Sequence, residues 1–192
     1  MKHSYIVTAL AFCCVSMVPA FGFDDVFEDV SGGAKRHVVS GFLCPVQIGH
    51  YDRDAVGVRD TARHADYCAY SARDGVYGTV VLSPLPHNFD PKALITPDIV
   101  LQEGAGSRMS AEGVYSLGPA KNLAVYTRTY DAARIEAMRY RVLLAVAAVG
   151  NWAVQVTVEY ADPRDLETKN EFVNAIFDRA VTQLAGDATT KK

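Results

Sequence analysis

Two histidine–carboxylate pairs, His50 with Asp52 and His64 with Asp66, carry the residue types best suited to chemistry in this chain. Within each pair the residues are two apart, which puts both side chains on one face of an extended backbone. Imidazole and carboxylate suit a divalent metal such as zinc, whose site needs three or four converging ligands. The spacing guarantees only pairs, so the same residues also read as loop groups making local hydrogen bonds, and no metal or cofactor is assigned. A nucleophile would have to be Cys68 beside His64, or a serine beside His37, His50, His64 or His87. Oxidation of Cys68 removes its thiolate, and no serine stands in a G-x-S-x-G elbow. No C-x-x-C pair is present for redox work. Gly104-Ala105-Gly106-Ser107 lacks the third glycine of a dinucleotide loop and the lysine of a phosphate loop, so it reads as a helix stop. Arg128, Arg134, Arg139 and Arg141 crowd around Asp131-Ala132-Ala133 and offer a local anion-binding edge; the plainer reading is of solvated charges guarding a strand edge or turn. The candidate binding residues are therefore His50, Asp52, His64, Asp66, Arg128, Arg139 and Arg141, with no catalytic residue assigned.

The first 22 residues read as an export signal: basic Lys2 and His3, an apolar run from Tyr5 to Val18, and small residues around Pro19-Ala20-Phe21-Gly22. An uncleaved anchor from Ile6 to Phe23 is the competing reading. Cys13 and Cys14 leave with the signal, which leaves Cys44 and Cys68. In an oxidising compartment those two are expected to form one disulfide, against the alternative of two buried thiols. The chain has 19 basic and 22 acidic residues, net −3, and loss of Lys2 makes the balance more acidic. That argues against a nucleic-acid or anionic-membrane binder, which would show a basic excess or stripe. No later apolar run has the length to span a bilayer, so the mature domain is expected not to cross a membrane.

The elements that would position these residues follow from periodicity and turn chemistry. His37 to Leu43 reads as a strand ending at Cys44-Pro45, with weaker extended stretches at Val46 to Tyr51 and Ala55 to Thr61. Ala65 to Ser71 and Val76 to Ser83 flank Asp74-Gly75 as a hairpin. A helix from Pro91 to Glu103 is expected to break at Thr96-Pro97. Strands follow at Gly113 to Leu117, Asn122 to Tyr130, Ala137 to Val149 and Trp152 to Ala161. The turn at Gly150-Asn151 would set Trp152, Val154, Val156 and Val158 on one face with Val149, Ala147, Ala145 and Leu143. Asp162-Pro163 is expected to open a last helix carrying Leu166, Val173, Ile176, Phe177, Ala180 and Leu184 as its apolar stripe, up to Gly186. The fold class expected is α+β: a central antiparallel sheet with packing helices, a single-domain sandwich over residues 23–186 with one disulfide and a frayed tail at 187–192.

Ser40-Gly41-Phe42-Leu43-Cys44-Pro45, with Asp66-Tyr67-Cys68-Ala69-Tyr70 and a short hairpin, resembles a group of small exported bacterial proteins of unknown function. That resemblance implies export and a Cys44–Cys68 bridge, and no activity. The closing order of long hairpin, Asp-Pro and terminal helix looks like the PsbP/Mog1-like α/β/α sandwich, an architectural likeness that carries no functional residue across. The expected role is that of a periplasmic or secreted non-enzymatic protein binding an envelope protein or a small ligand. A hydrolase with a dispersed His/Asp site and a membrane-tethered binder are the alternatives. Ten tyrosines fit either half-buried strands or a binding surface.

Overall fold

In the computed structural model, which describes residues 25–73, 75–116, 122–135 and 138–185, the chain begins with three short strands. These are β1 (Phe27–Asp29), β2 (Lys35–His37) and β3 (Leu43–Cys44), and they form a small antiparallel sheet. β4 (Gln47–Ile48), β5 (Tyr51–Asp60), β6 (Ala65–Ala72) and β7 (Val76–Pro84) follow as successive hairpins. Two short helices come next, α1 (Pro91–Leu94) and α2 (Thr96–Gly104). The strands β8 (Arg108–Ser116), β9 (Ala124–Ile135), β10 (Met138–Val149) and β11 (Trp152–Asp162) precede the helix α3 (Leu166–Leu184). β4 to β11 make one eight-stranded sheet in the order β4-β5-β6-β7-β11-β10-β9-β8, with β11 returning to pair with β7.

The β10–β11 hairpin stands near the middle because both of its faces are apolar enough to be covered. Val149 lies opposite Trp152, Ala147 opposite Val154, Ala145 opposite Val156 and Leu143 opposite Val158, the register the sequence predicts. Their face packs under α3, through Phe172, Val173, Ile176, Phe177, Ala180 and Leu184. On the opposite face Val142, Leu144 and Val146 meet Ile95 and Ile99 beside α2. Two glycines allow close approach on the α3 side. A Cβ on Gly78 would sit 2.5 Å from the Phe172 ring. Gly150 combines φ 58° with a position where a Cβ would collide with the Leu184 carbonyl.

Cys44 and Cys68 are bonded, with their Cα atoms 6.4 Å apart. The bond ties β3 to β6 inside the main core, where both residues are fully buried. Polar contacts dock the same hairpin. Arg53 donates to the Cys44 carbonyl at 2.6 Å and the Gly33 carbonyl at 2.8 Å, and the Leu43 amide donates to Gln183 of α3 at 2.8 Å.

The expected α+β class is corrected by this architecture: strand outweighs helix, 52% against 24%, and a second sheet of three strands joins the one of eight. The excess of strand comes from segments whose sequence shows little alternation. β8 is exposed along most of its length, and β5 for about half of its length, so neither carries a buried face to read. The single strand expected over His37 to Leu43 is instead two strands and a turn, reversed at Gly41 with φ 72°. Asp162 and Pro163 end β11 and enter a turn joined by a cis peptide, so α3 starts later, after Asp165. Leu166 is consequently 40% exposed, and Phe172 takes its place in the apolar stripe. The helix break at Thr96-Pro97 is present, with Asp90 capping α1 through the Lys92 amide at 3.0 Å. The export signal and the tail at 187–192 lie outside the described residues. Among the described residues no helix is long and apolar enough to cross a membrane.

Candidate functional site

The two histidine–carboxylate pairs separate along the β5–β6 hairpin. Asp52 stands opposite Ser71, whereas Asp66 stands opposite Val58, five residues further along β6, roughly 17 Å at the usual strand rise. His50 and Asp52 line an open hollow of about 410 Å3 with Gln47, Arg73, Asp165 and Thr168. His64 lies in the β5–β6 turn at φ 50°, outside the strand, and the turn is held by Asp60, whose carboxylate accepts the Ala62 amide at 3.0 Å. Its exposed side chain therefore does not share a strand face with Asp66. Among the described residues no group of three or more His, Cys, Asp or Glu is placed to hold a metal ion.

Asp66 points inward and meets a histidine that the spacing did not associate with it. His37 Nε2 is 2.9 Å from the Asp66 carboxylate, and His37 Nδ1 is 2.7 Å from Ser40 Oγ. The imidazole lies between Phe27 and Trp152, with ring centroids 5.2 and 5.4 Å away. A serine, a histidine and an aspartate in a row are the residue types of a hydrolase, but here all three are buried. Ser40 is 5% exposed, its Oγ also accepts the Phe42 amide at 3.1 Å, and the lining of none of the described cavities includes His37, Ser40 or Asp66. The row closes the β2–β3 turn and pins it to β6.

Of the described arginines, Arg128 lies on the opposite face of the sheet from Arg139 and Arg141. Arg128, on β9, faces α2: its guanidinium lies 3.5 Å from Glu112, 4.0 Å from Glu103 and 5.7 Å above the Tyr130 ring. Arg139 and Arg141 extend from β10, an interior strand, toward the α3 face. Both pair with Asp131, at 3.1 and 3.0 Å, and Arg141 also reaches Asp162 at 3.2 Å. The Arg134 side chain lies outside the described ones. Carboxylates already hold the three described guanidiniums.

A groove between α3 and the β8 side of the sheet gathers a different set. α3 packs over β11 and touches β10 and β7, so β9 and β8 extend beyond its cover. The resulting cavity, about 240 Å3, is floored by Thr127, Thr129 and Leu143 and walled by Tyr115 and by Lys169, Asn170, Val173 and Asn174 of α3. Tyr115 is 51% exposed, and its ring leans over Gly113, where a Cβ would lie 3.2 Å from it. Lys169 Nζ sits 5.4 Å over the Tyr160 ring. Burial holds the Lys169 ammonium below the ordinary lysine range, partly opposed by the charge of Asp162. Asp162 is itself ion-paired with Arg141, and among the described residues no carboxylate pairs with Lys169. None of the groove's lining residues is acidic.

The lining of this groove carries charge of one sign only, whereas each of the other described cavities is lined by both signs. In the cleft of about 120 Å3 beside α2, Arg59 binds Asp98 and Arg63 binds Asp60 at 3.1 Å. In the trough along β1, Lys35 is paired with Asp29 at 2.7 Å. In the His50–Asp52 hollow the Asp165 carboxylate accepts two bonds from Arg164, at 2.7 and 2.9 Å, and one from the Ala161 amide at 2.9 Å. Sequence reasoning missed the groove, yet it held one legible signal. Lys169 falls four residues before Val173 and seven before Ile176, at a position of the apolar stripe where a charge is out of place.

No protein-family model matches this chain, and no significant match to it exists among curated proteins.

Proposed function

We propose that this chain is a non-enzymatic binding protein, exported through its N-terminal segment into a periplasmic or extracellular space, that holds a small ligand in the groove between α3 and β8–β10. The carrying observation is the groove itself: a cavity of about 240 Å3 with a half-exposed aromatic wall, hydroxyls and amides on its sides and a cation that no carboxylate among the described residues pairs. A concave, mostly apolar site with a few convergent polar groups is the usual form of a small-molecule site. This one is smaller than the roughly 300 Å3 at which drug-sized sites begin, so its ligand is compact. The Cys44–Cys68 bond supports export, because structural disulfides persist in oxidising compartments. Ser40, buried beside His37, offers no exposed nucleophile for the alternative reading as a hydrolase.

The test is chemical-shift mapping of the isotope-labelled protein against a set of small ring compounds. Shifts centred on Tyr115, Thr127, Thr129 and Val173, abolished by a groove-filling Thr129→Trp variant of unchanged melting temperature, are expected. Shifts centred instead on the His50–Asp52 hollow or on the Arg59–Asp98 cleft refute the assignment.

A further inference from the structure

We infer that the ligand of this groove is a small aromatic carboxylate, its anionic group paired with Lys169 and its ring set against Tyr115. The inference rests on the reading of the groove as a ligand site and adds the chemical class of the occupant. Lys169 is the only charged residue in the lining, and no described carboxylate neutralises it. Asp162 acts on it from β11 but is committed to Arg141. A half-buried ammonium in that position favours an incoming anion over a neutral group, because part of its desolvation has already taken place in the folded protein. Thr129, Asn170 and Asn174 add a hydroxyl and amides able to donate to carboxylate oxygens, while the Thr127 hydroxyl donates to the Gly113 carbonyl. The opposite wall is flat and apolar. Tyr115 lies across Gly113 with half of its surface exposed, and Leu143 and Val173 close the floor and side. Such a wall suits a planar ring stacked on tyrosine. A phosphate monoester, with nearly two negative charges at neutral pH, would leave one of them unmatched by the single lysine of the lining.

The experiment compares naphthalene carboxylate with naphthalene carboxamide, near-isosteres that differ in charge, by calorimetric titration of the wild type, Lys169→Met and Lys169→Arg. The wild type is expected to bind the carboxylate about tenfold or more tighter than the amide, the usual scale for a hydrogen bond to a charged group. Lys169→Met should bring the two affinities together while leaving that for the amide in place, and Lys169→Arg should preserve the preference. Equal binding of both compounds by the wild type, or a preference that survives Lys169→Met, overturns the assignment of an anionic ligand and leaves the groove as a site for neutral rings. Failure of both compounds to bind removes the ligand-site reading and this inference together.

Discussion

Replacing Cys44 and Cys68 together by alanine opens a loop closed across a sequence separation of 24 residues. On a chain-entropy estimate a loop of that length is worth about 3.5 kcal/mol at room temperature. Both cysteines are fully buried in the main core, next to Phe42 and Tyr70 among others, so each alanine also removes one core atom, at about 1 kcal/mol per site. The double variant should therefore lose about 5 kcal/mol, a large part of the 5–15 kcal/mol or so that typically holds a domain together. At about 2–4 °C per kcal/mol for a chain of this size, the melting temperature should fall by about 10–20 °C. The assay is equilibrium urea unfolding followed by the fluorescence of the single tryptophan, Trp152, which is 7% exposed and packed edge-on against His37. Wild type reduced while unfolded and then refolded separates the two contributions: its thiols keep their volume, so it should lose only the entropic part, about 3.5 kcal/mol. A loss below about 1 kcal/mol in the double variant, or equal losses in the double variant and the reduced wild type, would refute the reasoning about loop closure or about packing respectively.

The remaining predictions concern packing and charge. Gly78→Ala places a methyl group 2.5 Å from the Phe172 ring and should cost about 1–3 kcal/mol, with part of the loss recovered when Phe172→Leu is added, as a double-mutant cycle in urea would show. Lys169→Met should leave the melting temperature unchanged or raise it, since it removes a half-buried charge without an ion-pair partner among the described residues. Because burial lowers the folded-state pKa of Lys169, the folded protein binds fewer protons than the unfolded chain between that value and about 10.4. Wild-type stability should thus rise with pH across that window relative to Lys169→Met, and parallel curves would contradict the shift. The Asp165 carboxyl is held below its usual range, first by the Arg164 guanidinium and also by the Ala161 amide, against an opposing effect of burial. Its contribution is present above about pH 4 and is lost as pH falls through the lowered folded value. Asp165→Asn should therefore narrow the stability difference between neutral and acid pH, measured by urea midpoints.

How much of this was legible depended on whether a residue's role is set by near or distant neighbours. The β10–β11 register could be read because the Gly150-Asn151 turn fixes it locally and both strands are apolar. The same holds for the α3 stripe from Val173 to Leu184, for the break at Thr96-Pro97, and for the hairpin from β6 to β7, whose Gly75 takes φ 79°. The Cys44–Cys68 pair was found by counting the cysteines outside the expected export segment. The class was misjudged because β8 starts at Arg108, five residues before the expected Gly113, with no buried residue to mark it, and because the β2–β3 hairpin is too short to show a period. Of the site residues, His50 and Asp52 do share a hollow, while His64 and Asp66 are parted by the left-handed conformation of His64, which two-residue spacing cannot reveal. His37 reaches Asp66 across 29 positions of sequence, a pairing that exists only once β2–β3 docks on β6. Threonine and asparagine at the groove are ordinary in strands and helices, and only Lys169 on an apolar stripe marked the place.

The central claim is that the groove between α3 and β8–β10 is the working surface of this protein and that Lys169 gives it a preference for anions. Its most direct test is a crystal structure determined with naphthalene carboxylate. The account predicts the ring against Tyr115 and a carboxylate oxygen within hydrogen-bonding distance of Lys169 Nζ. A ring bound in the groove with its carboxylate turned away from Lys169, or a compound bound only outside the groove, would contradict it.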